Sequence, residues 1–545
     1  MGFYSILFSS PASEDCAKTH PWMRFCARKM EDAGQGYVLR GNKMVRAAQD
    51  DVAPEENAPA LFEDIRMNQV IDEVLGRDAD RDLVDDFYAF CPDEHMVSYR
   101  HEVMRSLENP AVLDAFAGFC RSMERSVQLL DCGKKVHHAA QREKYIVDGA
   151  VLYGEAIRRL LADASGLVIP SEGLSGFLDA LRMYSGEPGF MEIKAHTERA
   201  KNALERIHYR LSVYDGRVLL GFDPKNRDLV REVADDFGVV TDSKATENID
   251  ASAIRLLGQL ELCPLEALVM DTLKRRYARE FSALHEAAEL ADAIPEPFIA
   301  RFVREMRWFF RFLDFVKRMR TRGCSFAYPT ISGDGGIQLN GAYDLAMALK
   351  EEGVVPNDLS LTAEERGVIV TGANQAGKTT FLRSIGQVAV LTALGLPVPC
   401  VRASLPLYQS IFSHFSEAED SSKDHGKLKE ELLRLKPALL SANRDSLVLM
   451  NEPFSSTTAQ DAMDMADRTL SMFVDAGARV LFVTHISGLA SGKLVSMTAQ
   501  IDPVNHQRLY RIERAPAETH AYADEIARKY CLTYREIKER VQHGI

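Results

Sequence analysis

The sequence predicts a multidomain chain in which a mainly α-helical region precedes an α/β domain. Three observations lead there. A length of 545 residues exceeds what one hydrophobic core organises, so several domains are expected. From about residue 60 to 325, apolar residues recur at three-to-four spacing, the period of an amphipathic helix. Near Ser332 the character changes, and short β-rich runs then alternate with helical patterns.

Residues 1–58 are mixed and remain unassigned. Residues 59–330 form the helical region. "LFEDIRMNQVIDEVL" and "RHEVMRSLENPAVLDAFAGFCRSMERSVQLL" carry the helical period. So does "RFVREMRWFFRFLDFVKRMR", where Phe302, Met306, Phe309, Leu313 and Val316 share one face and are expected to pack inward. "RVLLGFDP" at Arg217–Pro224 interrupts this with a β-like run, read as a hairpin or small clamp within about 165–255. Residues 331–545 form the α/β domain, opened by the turn-like "SGDGGIQLNGAYD". Its runs "GVIVTG", "SLVLMN" and "RVLFVTH" each end in polar residues, and ligands are expected at the carboxyl ends of parallel strands.

Hydrophobic content of 46% and charged content of 27% read as globular. No apolar run approaches about 18 residues, so no membrane-spanning helix is expected. The start lacks a basic segment followed by a long apolar one and does not read as a signal peptide. Nine scattered cysteines with no C-x-x-C pair suggest free thiols and a cytoplasmic setting. A net charge of −13 weighs against nucleic-acid binding unless a basic patch exists. "LKRRYAR" (273–279) and "KRMRTR" (317–322) are candidate patches, and each also fits an ordinary solvated face.

Three motifs carry chemistry. Gly372–Thr379 fits G-x-x-x-x-G-K-[ST], a phosphate loop. Gly372 and Gly377 let the backbone curl, and Ala373, Asn374, Gln375 and Ala376 present N–H groups to phosphate oxygens. Lys378 is expected on the β- and γ-phosphates, Thr379 on magnesium, and Thr380 adds a second hydroxyl. The helix that starts near Lys378 contributes its positive end. In the second motif, "LVLMNEPFSST", an apolar strand runs into Asn451 and Glu452. Glu452 is the candidate general base for attack of water on the γ-phosphate. In the third, "VLFVTH", His485 follows another apolar strand.

Together these residues resemble the MutS family, the mismatch-repair ATPases of the ABC class. "TGANQAGKTTFLRSIG" is similar to that family's T-G-P-N-x-x-G-K-S-T loop, with Ala373 where the family has Pro. "VPNDLSL" resembles the stretch before the loop, which implies that Asn357 helps seat adenine. The T-H pair implies that His485 senses the γ-phosphate. "SSTTAQDA" resembles G-T-S-T-x-D-G, which implies a dimer-signalling role for Thr457 and Asp461. "HAYADEIARKYCLTYREIKERV" is similar to a C-terminal helical segment of the family. The resemblance implies an ABC-type phosphate-loop ATPase domain on a helical core and lever region. It implies ATP and Mg2+ as cofactors, a homodimer, and mismatched or branched DNA as partner, with no membrane.

Three departures qualify it. No F-x-E wedge of a mismatch-reading domain is found. The partner-facing signature, aligned at "DHGKLKEELL", keeps Glu431 but lacks the small hydroxyl residues. Lys427 or Lys429 is then either a phosphate contact or part of a solvated helix start. Asn451 replaces the magnesium-site Asp and brings no charge, so weaker magnesium affinity and slow or partner-dependent hydrolysis are expected. The leading expectation is an ATP-gated dimeric clamp on DNA, acting in repair or recombination. The alternative is a nucleotide-gated interaction protein without mismatch recognition.

Overall fold

A computed structural model describes residues 3–19, 37–40, 43–46, 60–76, 80–90, 93–214, 217–222, 261–291, 294–415, 427–486, 489, 493–502, 507–515 and 537–538. The chain divides into two compact units that are discontinuous in sequence. One comprises Met1–Ile6 with Arg105–Met306, and the other Leu7–Met104 with Arg307–Ile545.

The first unit is mainly helical. Helix Pro110–Lys135 starts on the Asn109 side chain, which accepts the Ala111 N–H, and has Pro110 at its first position. Residues 136–138 connect it to helix Ala139–Ala164. The two helices approach closely at Gly149, where a Cβ would lie 3.0 Å from the Ser126 carbonyl oxygen. There the Ser126 hydroxyl donates to the Gly149 carbonyl at 2.7 Å. Phe116, Phe119, Phe177 and Phe302 form an aromatic cluster. Buried Glu305 collects the Ser5 hydroxyl at 2.7 Å, the Ile6 N–H at 3.0 Å and the Arg301 guanidinium at 2.7 Å. A buried carboxylate needs such partners, and they hold the N-terminal segment in this unit. The run at Arg217 is a strand, Arg217–Gly221, paired antiparallel with Arg210–Tyr214.

The second unit is mixed α/β. Its main sheet is built from β1 (Gly367–Thr371), β2 (Ser410–Phe415), β3 (Ser446–Asn451), β4 (Arg479–Val483), β5 (Leu494–Ile501) and β6 (Arg508–Arg514). The described strands lie in the order β2-β3-β4-β1-β5-β6. All neighbours are parallel except β5 and β6. Among the described residues three helices connect strands: α1 (Lys378–Ala393), α2 (Lys427–Ser441) and α3 (Ala459–Asp475). Both faces of the central strands are covered, which explains their unbroken apolar runs. Val448 and Met450 join Ala462, Ala466, Leu470 and Phe473 of α3 in one core. Leu449 points the other way, so close to α1 that a Cβ on Gly386 would lie 2.7 Å from its Cδ1.

A smaller sheet orders Thr330–Ile331, Arg402–Leu405, Ile337–Ala342 and Asn357–Leu361 side by side. Phe302, Met306, Phe309, Leu313 and Val316 of helix Pro297–Thr321 are all buried. Cys120 and Cys400 are buried free thiols, and burial pushes Cys400 up to about 12. Among the described residues no helix is long and apolar enough to cross a membrane. The segment 520–541 lies almost wholly outside the described residues.

Arg100, on helix Glu94–Leu107, is 1% exposed in the second unit. It donates to the carbonyls of Leu7 and Leu394, both at 2.9 Å, and its guanidinium lies over the Phe8 and Trp308 rings. It thereby joins three segments far apart in sequence. Arg100→Ala removes both charge-assisted bonds and the cation held over the two rings. A loss of about 3 kcal/mol in unfolding free energy is expected. A denaturant titration of the intact chain checks this, and an unchanged midpoint would refute the assigned role.

Candidate functional site

The site stands where three neighbouring strands end. β1 ends at Thr371, and Gly372 follows with φ 123°. A Cβ there would lie 2.8 Å from Ala499 of β5, so both conformation and space require glycine. The loop continues through Ala373, exposed Asn374 and exposed Gln375 (φ 58°), then buried Ala376. Gly377, φ 94°, is the N-cap of α1. Successive loop N–H groups and the helix end form an anion-seeking concavity.

Lys378 opens α1 and is 4% exposed. Its ammonium donates to the carbonyls of Gly372 at 2.7 Å and Ala373 at 3.1 Å, so the side chain folds back along the loop. Burial lowers its pKa, and the charge of Glu452 opposes that. Thr379 donates its hydroxyl to the Asn451 amide oxygen at 2.9 Å. The two residues expected to share a magnesium ion are therefore already in contact. Thr380 is half-buried one position further along α1.

Asn451 closes β3, and the chain then enters an unusual turn. Glu452 has φ 50° and Phe454 φ 63°, both left-handed conformations that non-glycine residues seldom adopt. Each costs about 1–3 kcal/mol. Phe454 is completely buried and anchors the turn, and the Glu452 N–H donates to the Val483 carbonyl at 2.9 Å. The turn presents the Glu452 carboxylate to His485, which follows β4. His485 Nε2 lies 2.7 Å from Glu452 Oε1, and its Nδ1 lies 3.5 Å from the Lys378 ammonium. Lys378, Glu452 and His485 thus form one polar chain. The His485 hydrogen bond, aided by the charges of His485 and Lys378, holds Glu452 below the usual carboxylate range against the effect of burial.

The remaining expected residues lie around this centre. Asn357 is committed to the backbone of β6. Its amide donates to the Tyr510 carbonyl at 3.1 Å, and its oxygen accepts the Ile512 N–H at 2.7 Å. Glu431 on α2 accepts the Ser456 hydroxyl at 3.4 Å and lies 3.8 Å from the buried His414 ring. Thr457 closes the turn after Glu452, its N–H reaching the Phe454 carbonyl at 3.3 Å. Asp461 receives the Thr458 hydroxyl at 2.7 Å while Thr458 caps α3 through the Asp461 N–H at 3.2 Å. Lys429 is exposed, and the Lys427 side chain lies outside the described residues.

Motif reading missed two neighbours on β6. The Tyr510 ring lies 3.6 Å from where a Gly377 Cβ would be. Arg508 donates to the Gln375 side-chain oxygen at 3.1 Å. Neither belongs to a contiguous motif, so no spacing rule reveals them.

The donor set suits magnesium. Among the described residues no cluster of His, Cys, Asp or Glu holds a metal unaided. One hydroxyl and one amide oxygen side by side fit an ion that keeps most of its water and leans on ligand phosphates. The loop geometry fits a polyphosphate for the reasons given.

The Glu452–His485 pair predicts a pH signature. Glu452 has a lowered folded-state pKa, so its stabilisation is present above the ordinary glutamate range, near about 4.3, and is lost as pH falls through the lower folded value. The melting temperature of Glu452→Gln is therefore expected to fall less steeply than wild type from pH ~5 downward, as the ordinary range is crossed. Parallel curves would show that the pair contributes nothing.

Known proteins resemble the stretch of chain that carries this site. Residues 368–530 match the family model for MutS domain V. The chain is similar to the DNA mismatch repair protein MutS of Natronomonas pharaonis, 32% identical over 212 residues, covering 38% of this chain and 24% of that protein. It is similar to the MutS protein of Shouchella clausii, 30% identical over 163 residues, covering 29% and 19%. For the MutS protein of Listeria monocytogenes the figures are 27% over 230 residues, covering 41% and 26%. The matches span about a quarter of the length of these relatives. Over its C-terminal part the chain is similar to MutS proteins, and residues 368–530 match the model of MutS domain V.

Proposed function

We propose that the second unit is an ATP-binding, slowly hydrolysing domain of ABC-type phosphate-loop architecture. One observation carries this reading: Lys378, the Thr379–Asn451 pair and the Glu452–His485 pair converge at the ends of β1, β3 and β4. Lys378 and the loop N–H groups would neutralise phosphate charge, and Thr379 with Asn451 would hold magnesium. When bound, the ion would draw charge from the β- and γ-phosphate oxygens. Glu452 would orient the attacking water and take its proton, and His485 would hold the Glu452 carboxylate in place. Asn357, through β6, would support the adenine side.

Two features support slow turnover. Asn451 adds no negative charge beside the metal position, so magnesium binds less tightly. Glu452 is held below the usual carboxylate range, which makes it a weak proton acceptor at neutral pH. Lys378→Ala is expected to abolish ATP binding, and Glu452→Ala to lower turnover about 100-fold. Asn451→Asp is expected to raise turnover at limiting magnesium. Steady-state phosphate release across a magnesium titration checks all three. An Asn451→Asp variant no faster than wild type would refute the metal argument.

At the level of the whole chain we infer a dimeric protein of DNA repair or recombination, with Glu431, Thr457 and Asp461 signalling between subunits. The names of similar proteins, DNA mismatch repair protein MutS, support the repair part of this reading. A second reading, a nucleotide-gated interaction protein, is favoured by the state of one basic cluster. Arg318 is paired with Glu73 at 2.7 Å, and Arg322 donates to the Leu349 carbonyl at 3.2 Å. Binding to duplex, mismatched and branched DNA across a salt series, with and without ATP, separates the two. Salt-sensitive binding supports the clamp. Its absence in every nucleotide state supports the second reading.

A further inference from the structure

We propose that Arg508 is a phosphate-binding residue of this site, brought there by a bulge in β6. The inference rests on the reading of the glycine loop as a nucleotide site and adds to it a cation from outside the motifs.

The bulge shows in the register of β5 and β6. Ala499 pairs with Ile512, but Ile501 pairs with Arg508. Two steps along β5 therefore oppose four along β6, and the excess lies at Leu509–Arg511. Within it Tyr510 adopts φ 56°, a conformation that bulky residues avoid. Bulges re-aim side chains, and this one turns β6 towards the glycine loop. Tyr510 packs against Gly377, and Arg508 reaches Gln375. The two hydrogen bonds between Asn357 and the backbone of Tyr510 and Ile512 brace the strand within the bulge and just beyond it.

The chemistry of Arg508 is the second argument. It is exposed at the rim of the loop, and its partner is a neutral amide. Among the described residues no carboxylate pairs with it. Arg514, six positions along the same strand, is by contrast tied to Glu365 at 2.8 Å. A guanidinium at the mouth of a polyphosphate cradle, held by a weak neutral contact, is free to exchange that contact for a charge-assisted bond to phosphate. It would also offset the weaker metal binding that Asn451 causes, because both concern the charge balance around the same phosphates. Arg508 would thus favour retention of nucleotide at low magnesium.

The test is equilibrium binding of a fluorescent ATP analogue to the full chain, with magnesium and with a chelator, for wild type, Arg508→Ala, Arg508→Lys and Gln375→Ala. Arg508→Ala is expected to weaken binding about 10-fold, the equivalent of about 1.4 kcal/mol. The loss should be larger in the chelator and should shrink with added salt. Arg508→Lys should recover part of it. Gln375→Ala should lose less than Arg508→Ala, because it leaves the arginine in place. Unchanged affinity in Arg508→Ala overturns the proposal. Equal losses in Arg508→Ala and Gln375→Ala also overturn it, since they would make Arg508 a brace for the loop. A wild type that binds no analogue overturns the nucleotide reading itself, a different outcome.

Discussion

The site depends on the burial of one helix. From Phe381 to Ala393, α1 is almost wholly shielded from solvent, including Ser384, Gln387 and Thr392. A helix buried on all sides cannot leave polar groups unpaired. Gln387 meets this demand by donating to the Ile65 carbonyl and the Asp344 carboxylate, both at 2.8 Å, and by accepting the Leu345 N–H at 2.7 Å. Gly386 permits close approach to Leu449 and Ile65. These contacts oppose any sliding or turning of α1. Its first residues, Lys378 and Thr379, therefore stand at set positions beside the ends of β3 and β4.

Against this rigid element, the turn after β3 stores strain. The left-handed conformations of Glu452 and Phe454 are unfavourable in isolation. Burial of the Phe454 ring and the bond from the Glu452 N–H to Val483 stabilise them. What the strain achieves is direction, for the carboxylate meets His485 instead of continuing the strand. The bulge at Tyr510 repeats this on the opposite side of the glycine loop, with Asn357 as its brace. Both strained segments border the same cradle. That is the expected distribution when backbone irregularity serves a site.

Asn451 is best understood inside this frame. Its amide oxygen accepts the Thr379 hydroxyl as a carboxylate would, so geometry is preserved while charge is lost. The departure from the usual motif is electrostatic. Around it the polar chain of Lys378, His485 and Glu452 stays connected.

Much of the fold was legible in the sequence. Apolar runs ended by Thr371, Asn451 and Thr484 announce buried parallel strands, because a strand covered on both faces has no polar alternation. The glycine loop was equally legible, since Gly372 occupies a conformation and a space closed to other residues and Gly377 a conformation that side chains rarely adopt. Contacts between distant segments were not legible. No local pattern joins Met1–Ile6 to Arg105–Met306, as Glu305 does through Ser5 and Ile6. None ties Asn357 to a strand more than 150 positions away, or sets Arg508 beside Gln375. Sequence by itself determined the elements and the chemistry at their ends, because period and glycine placement are local physics. Tertiary structure decided which of those ends meet, because that depends on burial of α1 and on the register of β5 and β6, which no short window of residues contains.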